Sequence, residues 1–286
     1  MDIKAEEISY VISNEPEIPD GKLDFLKQML TGDLGVDRID YLVRDSLHTG
    51  VLYGMFDYHR LLDTFLIHIG EEENPELCLE IDGVQAAEGL ILARYFMFSQ
   101  VYFHKTRSAY DVLLMEYMKE LIKEENIDFS DLNVFLDYND FVILYNIKQD
   151  SKKKDASKRT RLAKIIFNRK HHRRVYEVNA NNLVIGQNPE GIYKKIEKKI
   201  IKEFTDEINE GVILFDRSMN RPTKFEQVDF NVLDNNNLYH IFNVSELIRN
   251  LKKIDLFRIY AVKGCGLNSR IENIVKETIK PYVRRG

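Results

Sequence analysis

The sequence has few of the residues that mark disulfide-rich, zinc-binding or membrane proteins. Its two cysteines, Cys78 and Cys265, are far apart and lack metal-ligand spacing, so neither a disulfide framework nor a zinc knuckle is indicated. No apolar run approaches the roughly 20 residues that span a bilayer, and the acidic, polar first ten residues exclude a secretory signal. We therefore expect a soluble, cytoplasmic globular protein.

An excess of positive charge is also missing. The 286 residues include 41 Lys and Arg against 46 Asp and Glu, and a net charge of −5 excludes a globally basic nucleic-acid-binding protein. Hydrophobic residues make up 44% of the chain, which is ample for a packed core and excludes disordered, collagen-like and low-complexity classes. The length allows one large domain or two ordinary ones.

Hydrophobic spacing predicts a mostly α protein in two parts. We expect a helical core over residues 1–150, then a basic linker and a smaller α+β domain over residues 151–286. The apolar pattern predicts helices over residues 22–30, 35–48, 85–125 with a break near 105–109, 131–147, 191–204, 245–252 and 267–279. It predicts strands over residues 77–81, 212–215, 228–232, 239–244 and 256–262. Asp57 is expected to cap a helix that begins at Tyr58.

The segment from Gly32 to Leu62 carries the most informative pattern. On a helical wheel, one side collects the apolar residues Val36, Ile39, Leu42, Val43 and Leu47. The other side collects Asp37, Tyr41, Arg44, Asp45 and His48, with Arg38 and Asp40 on the flanks. This mixture suits a phosphate-bearing ligand, because a carboxylate can hold a metal, arginines neutralise phosphate and a phenol can contact a sugar. An ordinary surface helix with an Asp40–Arg44 pair fits the wheel equally well.

The residue string VDRIDYLVRDSLHTGVLYGMFDYHRLL resembles the signature of HD-domain phosphohydrolases, specifically the deoxynucleoside triphosphate triphosphohydrolase (dGTPase)-like branch. Gly35 alone departs from the pattern, which has Asp there. A second string, ARYFMFSQVYFHKT, resembles that family's A-R-x-x-M-x-x-x-V-Y-x-H-K-T helix and follows at the expected distance. The resemblance covers about residues 30–106.

The resemblance implies a homo-oligomeric hydrolase with an HD-type helical core. Its reaction would split a deoxynucleoside triphosphate into deoxynucleoside and triphosphate, using water activated by a divalent metal (Mn, Mg, Fe or Zn). By position, Asp37 matches a metal ligand. The matching substrate-binding residues are Arg38 and Arg94 toward phosphate, with Tyr41, Asp45 and Tyr102 toward the sugar. His104 and Lys105 match positions that face an effector nucleotide in regulated relatives.

The resembled metal set also needs a His and a His-Asp dipeptide upstream of Asp37, and the sequence has neither. We expect these ligands on helices that would precede Met1, so that the HD core is incomplete and this chain is inactive alone. Three explanations stay open. The chain is part of a longer enzyme, or a degenerate member that binds nucleotide or nucleic acid, or an enzyme with a rebuilt site that recruits His48 or His104.

A second candidate region is the basic stretch at residues 151–174, which holds eleven Lys or Arg residues and one acid. It is a candidate contact for nucleic acid or another anion, through Lys152, Lys153, Lys154, Lys158, Arg159 and Arg161. A solvated linker with one amphipathic helix explains the same residues.

Overall fold

The computed structural model describes residues 4–12, 22–69, 75–184, 186–219 and 230–283. Its helices are α1 (Ala5–Ile12), α2 (Lys22–Thr31), α3 (Val36–Thr49), α4 (Tyr58–Asp63), α5 (Val84–Met97), α6 (Lys105–Glu125), α7 (Leu132–Asp137), α8 (Asp140–Asp150), α9 (Lys158–Phe167), α10 (Pro189–Glu203), α11 (Thr205–Asn209), α12 (Ile241–Val244), α13 (Glu246–Asn250) and α14 (Asn268–Ile279). Its strands are β1 (Phe65–Ile69), β2 (Pro75–Glu80), β3 (Arg173–Asn179), β4 (Ile213–Met219), β5 (Asn231–Asp234), β6 (Asn237–His240) and β7 (Asp255–Ala261). The predicted mostly α class with a smaller sheet-containing part is confirmed.

The chain forms two compact units that are not consecutive halves. The first unit comprises Met1–Tyr102 and Asn220–Lys253, and the second comprises Phe103–Met219 and Ile254–Gly286. This division differs from the expected boundary at residue 150, because α6 to α9 belong with the later strands. Their apolar side chains, among them Leu113 and Leu162, share one core with Leu214 of β4.

In the first unit, helices pack against a four-stranded sheet of order β1-β2-β5-β6. Strands β1 and β2 are antiparallel, with Phe65 opposite Leu79, and β2 pairs in parallel with β5. The core joins Leu42 of α3, Leu90 of α5 and Val232 of β5. The predicted strand at 239–244 ends at His240, where α12 begins. Residues 228 and 229 of another predicted strand lie outside the described residues.

The second unit is built on an antiparallel sheet of order β3-β7-β4. The central strand β7 is buried at every position because helices cover both of its faces. Phe257 and Ile259 point into the core formed with α10 and α14, whereas Tyr260 points into the core formed with α6 and α9. Strand β3 was not predicted, since its Arg-rich start belongs to the basic stretch.

Two long predicted helices are interrupted in the structure. The predicted break near 105–109 comes earlier, as a π-helical turn at Phe98–Tyr102 followed by a new start at Lys105. The predicted helix over 131–147 is two helices, because the Asn139 side chain caps α8 by accepting hydrogen bonds from the backbone N–H groups of Phe141 and Val142. Within the described residues, no helix is long and apolar enough to cross a membrane.

Candidate functional site

Helix α3 lies between two turns that depend on glycine. Before the helix, a Cβ on Gly35 would lie 2.6 Å from the carbonyl oxygen of Leu30. A side chain there would force the turn open, which explains why glycine stands where the resembled pattern has Asp. After the helix, Gly50 ends it with a left-handed φ of 71°. These turns fix the direction in which α3 presents its polar face.

The second half of the signature string has a structural role. The buried Ser46 hydroxyl donates to the Val51 carbonyl at 2.6 Å and accepts from the Gly54 backbone N–H at 3.2 Å. A Cβ on Gly54 would lie 2.2 Å from the carbonyl oxygen of Leu42, so only glycine allows this approach. The S-x-x-T-G-V-x-Y-G part therefore sets the path of the chain after α3, and Asp57 caps α4 as predicted.

Two arginines converge on one carboxylate beside the start of α3. Arg38 of α3 and Arg94 of α5 each donate from Nη1 to Asp33 Oδ1, at 2.6 Å and 3.3 Å. Arg38 also donates to the carbonyl of Gly32. Both guanidinium groups are buried, and Arg94 is only 1% exposed. The structure thus brings together both predicted phosphate contacts, which are 56 positions apart in the numbering of the chain.

This arginine cluster has more positive than negative charge among its three members. Burial lowers the pKa of Arg94, and repulsion from Arg38 lowers it further, while Tyr41 and Asp33 oppose both effects. An anion that reached these two guanidinium groups would be attracted by their positive charge. Planar guanidinium groups with several N–H donors are well matched to phosphate oxygens. The cluster is therefore chemically suited to a phosphate ligand.

The predicted sugar-side residues form a second group in the same unit. The Tyr102 hydroxyl donates to Asp45 Oδ2 at 2.7 Å. The rings of Tyr41 and Tyr102 meet edge to face, with centroids 6.4 Å apart. Burial raises the pKa of Tyr41, although Arg94 and Arg38 act against that rise. Tyr41 therefore links this group electrostatically to the arginine cluster, and its phenol stays protonated at neutral pH.

Sequence reasoning missed two features of this site. Asp33 was not singled out, although an acid five positions before Arg38 was the available signal. The π-helical turn at Phe98–Tyr102 was not foreseen either. Such turns shift side chains around the helix and are frequent at functional sites. Here the turn carries Tyr102 on the segment directly after α5, where its hydroxyl reaches Asp45.

The predicted metal ligand, Asp37, belongs to no cluster of three or more possible metal ligands among the described residues. Asp37 is exposed in the first turn of α3. Among the residues that the structure describes, no group of three or more His, Cys, Asp or Glu side chains could hold a metal ion. One carboxylate gives weak affinity for a transition metal, because tight sites need several fixed ligands. The described residues therefore do not form a metal site.

The two predicted effector residues begin the second unit. His104 and Lys105 are both exposed. His104 is the N-cap of α6, and its Nδ1 accepts from the Thr106 backbone N–H at 3.3 Å. The Lys105 carbonyl accepts from the Tyr260 hydroxyl at 2.9 Å. These contacts give both residues a structural role at the start of α6, and their predicted effector role stays a prediction.

Three of the six basic candidates form ion pairs with carboxylates. Arg159 is buried and contacts three carboxylates, those of Asp150, Glu124 and Glu125, at 2.6 to 3.3 Å. Lys158 pairs with Glu116 and Glu120, and Lys153 pairs with Asp150. Lys152, Lys154 and Arg161 are exposed. Half of the predicted anion contacts thus serve ion pairs inside the second unit.

Comparisons with known proteins support a link to the HD superfamily. The sequence profile of the family described as "HD associated region" matches residues 56–259, which is more than half of the chain. An uncharacterised protein of Methanocaldococcus jannaschii is 37% identical over 105 residues, which cover 37% of this chain and 23% of that protein. An uncharacterised protein of Bacillus subtilis is 33% identical over 90 residues, covering 32% of this chain and 20% of that protein.

Solved structures show the same fold over most of the chain. A hypothetical protein from Aquifex aeolicus has a TM-score of 0.71 and 30% identity, covering 95% of this chain and 64% of that one. A phosphohydrolase from Bacteroides thetaiotaomicron has a TM-score of 0.60 and 22% identity, covering 83% of this chain and 63% of that one. The chain spans less than two thirds of each solved relative, and its matches span less than a quarter of each curated relative above.

Proposed function

The chain belongs to the HD-associated-region family, and from this premise we propose that it carries the substrate-recognition part of an HD-superfamily phosphohydrolase. The proposed substrate is a deoxynucleoside triphosphate. The complete enzyme would convert it into a deoxynucleoside and inorganic triphosphate. The fold shared with the Bacteroides phosphohydrolase is compatible with this assignment.

The observation that carries the proposal is the arginine cluster. Arg38 and Arg94 are buried, held in place by Asp33, and together exceed its charge. Positioning two guanidinium groups in advance lowers the entropy that phosphate binding must overcome. A triphosphate brings several negative charges, which the cluster can take up through paired N–H donors. A neutral or cationic ligand would gain nothing from this arrangement.

The sugar-side residues Tyr41, Asp45 and Tyr102 support the proposal that the substrate's sugar lacks a 2′-hydroxyl. Because the Tyr102 hydroxyl already donates to Asp45, it is not available to donate to a further group. With the 3′-hydroxyl placed on Asp45, a 2′-hydroxyl beside this pair would find no free hydrogen-bond donor and would lose bonds to water. The Asp45 carboxylate keeps acceptor capacity for a sugar hydroxyl such as the 3′-hydroxyl. Both features favour deoxynucleotides over ribonucleotides.

A divalent metal would supply the activated water in a complete enzyme of this kind. Asp37 is the one residue here that the resemblance assigns to it, and the described residues do not fit a metal site. We therefore assign no hydrolytic step to the residues of this chain. Their proposed work is to bind the phosphates, orient the sugar and select the deoxy form.

A binding module without catalysis is the second candidate, and the same metal finding favours it. Such a module would hold a nucleotide at the arginine cluster and leave it intact. The two candidates differ in one readout. Hydrolysis of bound deoxynucleotide with Mn²⁺ or Mg²⁺, in the chain or in the longer protein that contains it, identifies the enzyme. Binding that never leads to hydrolysis identifies the module.

The sugar assignment predicts the effect of Tyr102→Phe. Removing the hydroxyl releases Asp45 and opens space beside it, so the preference for dATP over ATP should fall by about tenfold. Titration calorimetry with dATP and with ATP measures both dissociation constants. Tyr53→Phe is the matched control, since Tyr53 is an exposed tyrosine of the same unit. An unchanged preference in Tyr102→Phe, or an equal change in both variants, would contradict the assignment.

A further inference from the structure

The π-helical turn that follows α5 carries an aromatic ring between the two groups of the candidate site. Phe98 is the first residue of this turn and Tyr102 is the last. Arg94 lies four positions before Phe98, and Tyr102 lies four positions after it. A residue to which the resemblance assigns no role therefore stands, in sequence, midway between a predicted phosphate contact and a predicted sugar contact.

The π-helical turn keeps these three side chains on one side of the helix. In an α-helix, 3.6 residues make a turn, so a step of four residues moves a side chain about 40° further around the axis. A π-helical turn has i→i+5 hydrogen bonds and takes more residues per turn, so a step of four residues through it falls short of a full turn. The step from Phe98 to Tyr102 thus offsets the rotation that the step from Arg94 to Phe98 introduces.

The Phe98 ring contacts both of these neighbours. The Cζ atom of Arg94 lies over the ring, 5.8 Å from its centroid. The Tyr102 ring meets the Phe98 ring edge to face at 72°, with centroids 5.0 Å apart. Guanidinium groups are attracted to an aromatic ring within about 6 Å of its centroid, and edge-to-face pairs are favourable at about 4.5–7 Å. Both contacts are therefore attractive.

Each contact bears on a different part of a ligand. Burial disfavours the charge of Arg94, and the electron-rich face of Phe98 opposes that effect while restricting the movement of the guanidinium group. The Tyr102 ring is contacted by Phe98 and also by Tyr41, whose ring centroid is 6.4 Å away. These contacts orient the Tyr102 ring, so that its hydroxyl keeps the 2.7 Å hydrogen bond to Asp45.

We propose that Phe98 is a positioning residue that couples the arginine cluster to the sugar-side residues. Its ring holds Arg94 for the phosphates and Tyr102 for the sugar at a fixed separation. The site then favours a ligand in which phosphates and a deoxyribose are joined, because both partners are ordered before the ligand arrives. This inference rests on the proposed function and adds the residue through which its two recognition steps depend on each other.

The variant Phe98→Leu tests the coupling, because leucine keeps an apolar side chain against the core and has no aromatic face. Titration calorimetry gives two readouts, the affinity for inorganic triphosphate and the ratio of the affinities for dATP and ATP. Phe98→Leu should lower each readout by about threefold, the size of one cation–π or aromatic contact. Arg94→Met should lower mainly the first readout and Tyr102→Phe mainly the second, since each variant changes one partner alone.

Two further variants separate positioning from a structural role. Phe98→Tyr keeps the ring and should restore both readouts to the parent values. Phe96→Leu removes a neighbouring aromatic side chain that is 41% exposed and contacts the rings of Tyr53 and Tyr95, and it should change neither readout. Urea unfolding measures the stability of each variant. A Phe98→Leu variant that is less stable but keeps both readouts has lost a structural contact only, which overturns the inference.

The result for the parent chain separates this inference from the proposed function. If the parent binds triphosphate and prefers dATP, an unchanged readout in Phe98→Leu would overturn the coupling alone. A Phe98→Tyr variant that behaves like Phe98→Leu would do the same. A parent that fails to bind triphosphate, or shows no preference for dATP, would overturn the proposed function and the coupling with it. Loss of both readouts in Phe98→Leu and their recovery in Phe98→Tyr would support the coupling.

Discussion

Each unit of this chain contains a buried arginine–carboxylate cluster, and the two differ in charge balance. In the first unit, Arg38 and Arg94 share the single carboxylate of Asp33. In the second unit, the single guanidinium of Arg159 contacts three carboxylates, with Asp150 almost fully buried beside it. The first cluster has one carboxylate contacted by two guanidinium groups, and the second has three carboxylates around one guanidinium group. The comparison shows that charge balance, rather than arginine content, separates a candidate binding site from a structural ion pair.

The pKa values of the two central arginines shift in opposite directions, in line with the charge balance of their clusters. Burial and the neighbouring Arg38 lower the pKa of Arg94. Burial also acts to lower the pKa of Arg159, but its hydrogen bonds to Glu125 and Asp150 outweigh burial, and the net pKa is raised. A protonated guanidinium is thus disfavoured by its surroundings in the first unit and favoured in the second. An added anion would stabilise the positive charge of Arg94. The same anion near Arg159 would be repelled by the three carboxylates there.

The strongest way to break the comparison is Arg159→Met. This change leaves Asp150 buried without its main partner, so the second unit should lose about 3–5 kcal/mol of stability. Urea unfolding followed by circular dichroism measures the loss. Arg161→Met, on the same helix but exposed, should lose far less. Equal losses in the two variants would show that the Arg159 cluster is not structural.

A smaller effect is expected from Asp33→Asn. Because Asp33 competes with an incoming anion for both arginines, its neutral variant should bind inorganic triphosphate about tenfold more tightly. Asp150→Asn is the matched change in the second cluster and should bring no gain, since Glu124 and Glu125 remain there. Calorimetry at low ionic strength measures both. A weaker affinity in Asp33→Asn would mean that Asp33 serves chiefly to position the arginines.

The smallest effect concerns a buried base in the second unit. His172 is 1% exposed and its Nε2 lies 2.7 Å from the Gly211 carbonyl. Burial lowers its pKa, so the unfolded chain takes up the proton first as the pH falls below about 6.5. Stability should therefore decrease from pH 7.5 to pH 5.5, and His172→Gln should reduce this decrease. The exposed His59→Gln serves as the control, and an identical pH dependence in both variants would refute the prediction.

The sequence predicted most of the fold because amphipathic spacing is local. It could not predict the two units, since residues 230–253 return to the first unit through a pairing of β2 with β5, and such long-range pairing leaves no local pattern. Strand β3 was hidden for a related reason. Its apolar residues follow a run of Lys and Arg that favoured the interpretation as a linker.

The candidate site was predictable in its residue types and less so in its geometry. The helical wheel placed Tyr41 and Asp45 on one face of α3. The resemblance to HD-domain phosphohydrolases then predicted Arg94 and Tyr102 as further site residues. Neither showed that Asp33 would hold both arginines, because that contact joins a turn to a helix far along the chain. For the same reason the sequence did not show that the acids pairing with Lys158 and Arg159 lie on α6 and α8.

The central claim is that the arginine cluster of the first unit is an anion site. Titration of inorganic triphosphate into the parent chain, Arg94→Met and Arg44→Met tests it most directly. Arg44 lies on α3 in an exposed pair with Asp40, so its removal matches the loss of charge without touching the cluster. The account predicts one site in the parent, an affinity lower by tenfold or more in Arg94→Met, and little change in Arg44→Met. Equal affinities in the parent and Arg94→Met would contradict it.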